Sequence, residues 1–559
     1  MQKIARSVAA VLALLFAAAW ADEEAPGFRL ADIIADHGVL QRDLPVPIWG
    51  TAEPGSEVTV EFADQKKTAT ADAKGEWVVW LAPMKASDEG RMLRVVNDGV
   101  EIRRIDLLVG EVWLASGQSN MGVPVRSVHD ADEALKSDDD DALRLYRVPS
   151  RPAAAPRRDL KGVWESSTPK TIANASAVAW FFASEIRRTQ KCPVGILQAP
   201  WGGTPIEAWI SLAGFEKDPP LKEGLEKWKK ALAKHREVLE DPDLMKEYRA
   251  ALKAYSAKHK GDRSGYESDP APEGVGSAAA KKPDAEPENP DPMDTPSPSR
   301  RPGTPTVLFN GMIAPVAPYA LRGFLWYQGE ANAGRGLDYR AQMKRLIDDW
   351  REHWKARLNG SASASAETPW FLWVQLPNCG PDPKPVATAG WPWLREAQAL
   401  ALDRPRTGMA VTIDIGDPRN VHPADKSDVA RRLALIARRH IYGETLQASG
   451  PRFKSLRVEG ASAELQFDEI GGGLIIGEAP WRPKGVEPLP TDHLVGFFVA
   501  GQDRQWYEAT AEICGDKVVV SSPSVPQPVA VRYGWANSPR CNLYNAEHLP
   551  AAPFRTDDW

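Results

Sequence analysis

Four short polar segments, each placed directly after an apolar run, contain the residues of this chain that are best suited to chemistry. They are residues 117–121 after DLLVGEVWLAS, 201–204 after CPVGILQAP, 328–332 after GFLWY and 416–423 after GMAVTIDI. Apolar runs that alternate with helical patterns are typical of strands in a parallel α/β sheet. Because ligands bind beyond the carboxyl ends of such strands, we expect the four segments to meet at one edge of the sheet.

Together these segments contain the groups that an acyl-transfer reaction needs. Ser119 offers a hydroxyl nucleophile, and His422 offers an imidazole that can accept its proton near neutral pH. Glycine amides and a side-chain carboxamide are suited to stabilising the oxyanion that forms during the attack. The predicted oxyanion and substrate contacts are Gly202, Gly203, Gln328, Glu330 and Asn332.

Taken one at a time, these residues also have structural explanations. Ser119 is suited to capping a helix N-terminus, Gly202 and Gly203 to a plain turn, and a lone histidine is usually structural or exposed. The GxSxG elbow of α/β-hydrolases is absent, since Met121 occupies the position of its second glycine. Their joint placement after successive strands favours a catalytic site in a serine hydrolase of a different architecture.

The surrounding elements divide the chain into three predicted regions. Short strands with turn signals over 22–104 predict an N-terminal β-sandwich, and strand signals over 444–559 predict a C-terminal β-rich domain. Residues 105–443 predict an α/β domain with a parallel sheet. Its clearest helix has apolar residues at helical spacing, namely Tyr339, Met343, Leu346, Trp350 and Trp354.

An insertion over residues 217–305 is predicted to interrupt the α/β domain. Its first part carries two amphipathic helical patterns. The part over 261–305 contains no Leu, Ile, Phe or Trp, so it lacks the apolar surface to order itself and is predicted to be disordered.

The first 21 residues have the pattern of a secretory signal. Lys3 and Arg6 precede an apolar stretch over 8–19, and Ala19-Trp20-Ala21 is a small-x-small cleavage site. That stretch is too short to span a membrane, and no later segment is apolar enough to do so. We therefore predict export, under conditions that allow a disulfide, with Cys514 and Cys541 as the candidate pair.

Composition and charge exclude several classes of partner. Lys and Arg total 69 against 75 Asp and Glu, for a net charge of −6, whereas a nucleic-acid binder carries a clustered basic excess. The four cysteines form no CxxC pair and no HExxH motif is present, so no metal site is predicted. The 21 tryptophans are compatible with sugar stacking, although we expect most of them in hydrophobic cores.

Several of these segments carry a resemblance to a known family. GQSNM, APWGGTPIEAW, LRGFLWYQGEAN and HPADKSDVARRLAL together resemble the sialate O-acetylesterase family of SGNH hydrolases, and the similarity extends from about residue 28 to 559 apart from the insertion. The resemblance implies a three-layer α/β/α esterase domain without metal or organic cofactor. It places the nucleophile at Ser119 and the base at His422. The implied oxyanion hole comprises the amide N–H of Ser119, a glycine N–H at Gly202 or Gly203, and the side chain near Gln328.

One position departs from the SGNH pattern. An aspartate usually stands three residues before the catalytic histidine, but here that place holds Arg419. The residue that orients His422 is then Asp417, Asp414 or a backbone carbonyl. We favour Asp417, because it lies past the strand and the turn at Pro418 could direct it back toward the ring.

The expected activity is removal of O-acetyl groups from sugars. The substrate would be an O-acetylated sialic acid, or acetylated xylan or another polysaccharide, since the resemblance defines the bond better than the sugar. A non-catalytic glycan-binding protein is the rival of a different class. The presence of Ser119, His422 and the QGE segment argues against it.

Overall fold

The computed structural model describes residues 27–218, 226, 302–357, 368–380 and 390–559. The predicted signal segment and nearly all of the predicted insertion lie outside these residues. None of the described helices combines the length and apolar character needed to cross a membrane.

The N-terminal region consists of short, mainly antiparallel strands. Their buried positions alternate along β4 and β6, as expected for strands with one face toward a core. The strands β1, β3 and β6 form one sheet, and β4 pairs with both β5 and β7 in a second. The seven strands are β1 (Arg29–Leu30), β2 (Val39–Gln41), β3 (Val46–Thr51), β4 (Glu57–Phe62), β5 (Gln65–Thr70), β6 (Glu76–Leu81) and β7 (Ser87–Asn97).

A single long strand, β8 (Val100–Gly117), connects this region to the central sheet. Its first part pairs antiparallel with β7, and its second part pairs in parallel with strands on both sides. Residues 107–117 are all buried, as is typical of a strand covered on both faces. The predicted boundary at residue 104 therefore falls inside one continuous strand.

The central sheet has the order β10-β9-β11-β8-β12-β13-β14. All neighbours along it are parallel except β10, which pairs antiparallel with β9. The predicted apolar runs are confirmed as strands, while β9 was not predicted and β14 ends before the last residues of its run. The bounds are β9 (Asp140–Arg147), β10 (Trp164–Ser167), β11 (Val194–Pro200), β12 (Gly323–Tyr327), β13 (Trp370–Val374) and β14 (Thr407–Ala410).

Helices cover both faces of this sheet. They are α1 (Ser119–Gly122), α2 (Ala131–Ala134), α3 (Pro169–Ile172), α4 (Ala177–Gln190), α5 (Leu212–Glu216), α6 (Gly336–Arg357), α7 (Trp391–Leu400) and α8 (Ser427–His440). Short 3-10 turns occur at Val125–Ser127, Ile206–Trp209, Glu330–Arg335 and Ala401–Asp403, and a π-helix at Phe309–Ile313.

The apolar periodicity places the longest helix, α6, correctly. All five predicted apolar positions of α6 are buried, and its Trp350 contacts Trp326 of β12 with ring centroids 5.6 Å apart. On the opposite face, Phe182 of α4 contacts Trp113 of β8 at 4.9 Å, and α8 packs beside α4. The chain therefore folds as an α/β domain around a mixed sheet, with β-rich regions at both ends.

The C-terminal region has its own hydrophobic core. Its strands are β15 (Arg452–Glu459), β16 (Ser462–Asp468), β17 (Leu474–Ile476), β18 (Phe497–Ala500), β19 (Trp506–Glu508), β20 (Thr510–Cys514), β21 (Lys517–Ser521), β22 (Ala530–Tyr533), β23 (Leu543–Asn545) and β24 (Phe554–Arg555). The buried guanidinium of Arg395 on α7 joins this region to the α/β domain. It donates to the carbonyl of Leu376 in the α/β domain at 2.8 Å and to the carbonyl of Ala536 in the C-terminal region at 2.7 Å. Such a buried cation is stable only because its donors are satisfied.

The predicted disulfide between Cys514 and Cys541 is wrong. Both cysteines are free. Cys514 is exposed at the end of β20, whereas Cys541 is buried against Gly496. The two thiols thus lie in different environments of the region, which their spacing in the sequence does not show.

Candidate active site

Ser119 lies in a tight turn that directly follows β8. Gly117 adopts φ +134°, and a Cβ at this position would lie 2.1 Å from the carbonyl oxygen of Tyr327. Only glycine allows this close approach of β8 to β12. The chain leaves β8 there and enters α1 at Ser119.

His422 reaches Ser119 from the loop that precedes α8. Its Nε2 lies 2.7 Å from Ser119 Oγ, although the two residues are 303 positions apart. Part of the imidazole faces solvent, yet its partial burial and the nearby Lys426 ammonium lower the pKa of His422. A neutral imidazole in contact with a hydroxyl is suited to act as a general base.

The two candidate aspartates have other partners. Asp417, predicted to orient His422, accepts a hydrogen bond from the Arg419 backbone at 3.0 Å. Asp414 accepts two from the Arg432 guanidinium, at 2.6 and 2.7 Å. Within the described residues, neither carboxylate has a hydrogen bond to the His422 ring, so the structure does not place Asp417 in its predicted position.

Gly202 lies against the nucleophile. A Cβ added to Gly202 would be 3.3 Å from the Cβ of Ser119. The two turns are joined by a 2.9 Å hydrogen bond from the Trp201 amide to the Gly117 carbonyl. Among the described residues, the amides of Ser119 and Gly202 have no protein acceptor. Gly203 adopts φ +70°, and a Cβ there would meet no atom within 4 Å.

The side chain of Gln328 is not available as an oxyanion donor. It is fully buried, and its Nε2 donates to the Thr204 carbonyl at 3.2 Å and to Asn332 Oδ1 at 2.7 Å. Its Oε1 accepts from Tyr339 at 2.8 Å. Since both hydrogens of the amide are engaged, the prediction for this side chain is corrected: Gln328 holds the loop that follows Gly203.

Asn332 also has a structural role, in a hydrogen-bond network that it shares with Glu207. The Asn332 carboxamide is buried, accepts from the Ile206 amide at 2.9 Å and donates to Glu207 at 3.0 Å. Glu207 in turn binds Arg335 at 2.6 Å and Gln342 at 2.9 Å. This network joins the turn of Gly202 to the start of α6, and the Asn332 side chain within it is fully buried.

Glu330 points into the protein, where it meets two residues that were not predicted. Asn120 lies between its carboxylate and the ammonium of Lys426. Asn120 stands within GQSNM and Lys426 within HPADK, so both belong to the quoted segments. Their side-chain types carried no chemical signal at the sequence level.

Proteins of known name or structure are similar to this chain over nearly its whole length. No protein-family model matches it. The crystal structure of a carbohydrate acetylesterase from Xanthomonas citri is 34% identical, covers 95% of this chain and 100% of that one, and has a TM-score of 0.73. The sialate O-acetylesterases of Mus musculus and Homo sapiens are 28% and 29% identical, with 94% and 96% of this chain covered and 94% of each relative.

The chain belongs to the sialate O-acetylesterase family. Membership makes it a carboxylic ester hydrolase. Because the aligned spans include nearly the full length of each relative, both β-rich regions belong to the architecture that this family shares.

In this family member a basic cavity of about 630 Å³ opens beside α1. It is lined by Gly122 at the end of α1 and by Arg147 at the carboxyl end of β9. Arg126 and Lys170 also line it, and Glu165 is the one carboxylate in the lining. Within the described residues, none of the three cations has a carboxylate partner. Because β9 and β12 lie on opposite sides of β8, the cavity and the Glu330 strand end flank the Ser119 turn from opposite sides.

Proposed function

We propose that the protein hydrolyses O-acetyl esters of sugars in an SGNH-type α/β/α domain, with Ser119 as nucleophile and His422 as general base. The 2.7 Å contact between Ser119 Oγ and His422 Nε2, in a chain of this family, carries the proposal. In the first step Oγ attacks the acetyl carbonyl carbon while Nε2 takes the hydroxyl proton. The amides of Ser119 and Gly202, which have no acceptor among the described residues, then donate to the oxyanion.

Collapse of the tetrahedral species completes the acylation half of the reaction. The bond between the carbonyl carbon and the sugar oxygen breaks, and His422 returns its proton to that oxygen, so a sugar hydroxyl leaves. A water molecule then attacks the acetyl-enzyme and gives its proton to His422. Acetate departs when the carbon–Oγ bond breaks, and the proton returns to Ser119.

The orientation of His422 in this scheme does not rely on a carboxylate. Asp417 and Asp414 are bound to Arg419 and Arg432, so the working pair is a serine–histidine dyad. The backbone amide of His422 donates to Asn420 Oδ1 at 2.9 Å, which fixes the loop at the residue that carries the ring.

The basic cavity beside α1 favours an anionic sugar over a neutral one. Three cations against one carboxylate give the cavity a net positive charge, and a charge of that sign attracts a carboxylate-bearing ligand. Acetylated sialic acid is such a ligand, whereas acetylated xylose units are neutral. The curated relatives are named for sialate, which agrees with this choice.

Acetate release from three substrates tests both parts of the proposal. We expect turnover of 4-nitrophenyl acetate and of O-acetylated sialic acid, no turnover of either by Ser119→Ala, and a lower kcat/KM on acetylated xylan. Substantial turnover by a folded Ser119→Ala variant would overturn the dyad. A folded wild-type protein without esterase activity would instead support a glycan-binding role.

Paired charge substitutions test the substrate class separately. Lys170→Gln should raise the KM for O-acetylated sialic acid. It should leave the KM for 4-nitrophenyl acetate unchanged, since that substrate carries no charge. Lys67→Gln, which changes another exposed lysine, on β5, is the matched control. Equal effects of the two variants, or higher wild-type activity on xylan, would assign the enzyme to neutral sugars.

Export is also part of the proposal, supported by the signal pattern of residues 1–21. Mass measurement of the protein recovered outside the cytoplasm should show a chain that begins at Asp22. Recovery of the full-length chain from the cytoplasm alone would contradict it.

A further inference from the structure

The side chain of Asn120 connects the two residues of the proposed dyad. Asn120 follows Ser119, and its Nδ2 donates to the carbonyl of Val421, the residue before His422, at 2.8 Å. The same Nδ2 donates its second hydrogen to Glu330 Oε1 at 2.5 Å. One buried amide group therefore joins the turn of the nucleophile to the loop of the base.

Charged groups on both sides fix which way the carboxamide of Asn120 faces. The ammonium of Lys426 donates to Asn120 Oδ1 at 2.7 Å, and the carboxylate of Glu330 accepts from Nδ2. A flipped carboxamide would place N–H groups against the ammonium and its oxygen against the carboxylate, which is electrostatically unfavourable. The flip would also remove the hydrogen bond to Val421, so the two charges keep that bond in place.

These three side chains, Asn120, Glu330 and Lys426, are called the Asn120 cluster below. Lys426 and Asn120 are fully buried, and burial lowers the pKa of Lys426 to about 7 and raises that of Glu330. Asp425 and the ring of Tyr327, 5.3 Å from Nζ, are the other groups that face the ammonium. Burying opposite charges is tolerated when they are paired and hydrogen-bonded, and here Asn120 lies between them.

The position of His422 in the fold explains why such a link is needed. The base approaches from the side of β14, the nucleophile follows β8, and β12 and β13 lie between them. Neighbouring strands are about 4.8 Å apart, so the loop of His422 crosses about 14 Å to reach Ser119. No carboxylate among the described residues holds the ring from behind.

We propose that the Asn120 cluster positions Ser119 and His422 against each other. This inference rests on the proposed function, because it assigns positioning residues to that dyad. Within the described residues, none of the three side chains has a hydrogen bond to Ser119 Oγ or to the His422 ring, so each acts through the backbone or through its neighbour in the cluster. Removing the link displaces reacting groups, and a displacement of about 1 Å costs on the order of 10²-fold in rate.

Asn120→Ala tests the link to Val421. On 4-nitrophenyl acetate we expect kcat to fall about 10²-fold with little change in KM, since the substrate contacts are untouched. Asp349→Asn is the matched control, because Asp349 is a buried polar residue that holds Ser211 at 2.5 and 2.7 Å, away from the dyad. The control should lose thermal stability and keep its kcat. A folded Asn120→Ala variant with wild-type kcat would overturn the positioning role.

Lys426→Met tests the charge. Without the ammonium, Asn120 loses the donor that orients its carboxamide, so kcat on 4-nitrophenyl acetate should fall with little change in KM. A merely structural lysine would lower the melting temperature and leave kcat unchanged, and this result would overturn the role of Lys426 in orienting Asn120. If Lys426→Met does not fold because Glu330 is left unpaired, Lys426→Met with Glu330→Gln carries the same measurement. Ser119→Ala is measured alongside, so that a failure of this inference can be distinguished from a failure of the proposed dyad. Residual turnover by that variant would refute the dyad itself, on which the role of the Asn120 cluster depends.

Discussion

Replacing Asp414 with asparagine should reduce stability and leave the chemistry intact. Its side chain is 1% exposed, and its carboxylate accepts two hydrogen bonds from Arg432 and one from Tyr544 at 2.9 Å. These contacts join α8 to the C-terminal β-rich region. The residue is therefore a buried structural anion, although its place in the sequence made it a candidate for the catalytic acid.

The expected loss of stability follows from the buried Arg432 charge, which loses one of its partners. Removing one partner of a buried ion pair costs about 3–5 kcal/mol. Arg432 keeps a second carboxylate, Asp428 at 2.6 Å, so the lower end of that range applies. For a unit of about 150–250 residues each kcal/mol lowers the Tm by about 2–4 °C, which gives a decrease of about 6–12 °C.

Thermal unfolding and turnover, measured on the same sample, check this prediction. The Tm of Asp414→Asn should fall, while kcat on 4-nitrophenyl acetate at 20 °C should stay within a few-fold of wild type. Tyr544→Phe, which removes only one hydrogen bond to the same carboxylate, should show a smaller decrease in Tm. A variant with an unchanged Tm and a kcat lowered by about 10⁴-fold would refute the reasoning and make Asp414 the residue that orients His422.

Four further outcomes are expected. Asp417→Asn should lower kcat by less than about tenfold, since this carboxylate binds Arg419; a loss near 10⁴-fold would show that it reaches the ring. Ser119→Ala and His422→Ala should be nearly equally damaging and the double variant little worse, because the two groups act as one unit; multiplying losses would contradict this. Because burial and a nearby ammonium lower the pKa of His422, kcat/KM should fall as the pH drops through a value below 6.5, where the base becomes protonated; a limb above 6.5 would refute that shift. Replacing residues 261–305 by a short Gly/Ser bridge should leave activity on 4-nitrophenyl acetate, since changing loop length costs only about 0.6 kcal/mol per doubling; a variant that fails to fold would show that the segment packs on the catalytic domain.

Local patterns were enough to predict the apolar strands of the central sheet and its longest helix. Apolar runs placed β8, β11, β12 and β13, and the helical spacing from Tyr339 to Trp354 placed α6. The same patterns predicted that Ser119 and His422 lie at one edge of the sheet, because the carboxyl ends of parallel strands meet there whatever the loops contain. The pairing of these residues thus follows from topology and residue type.

Local patterns failed where a residue's partner lies far away in the sequence. β14 ends at Ala410, so Asp414 leaves the strand and meets Arg432 and Tyr544. The prediction of a disulfide between Cys514 and Cys541 was wrong for the same reason, since their spacing in the sequence does not show where the two thiols lie.

The sequence by itself determined the apolar strands of the central sheet, the helix α6 and the types of residue that follow those strands. Only the tertiary structure decided which way each side chain faces at those ends, turning Gln328 inward to the Thr204 carbonyl and leaving the amide of Gly202 beside Ser119. It also decided that Lys426 is bonded to Asn120 across 306 residues. The physical reason is that periodicity reports burial along one element, whereas hydrogen-bond partners and pKa values depend on packing between elements that are distant in the chain.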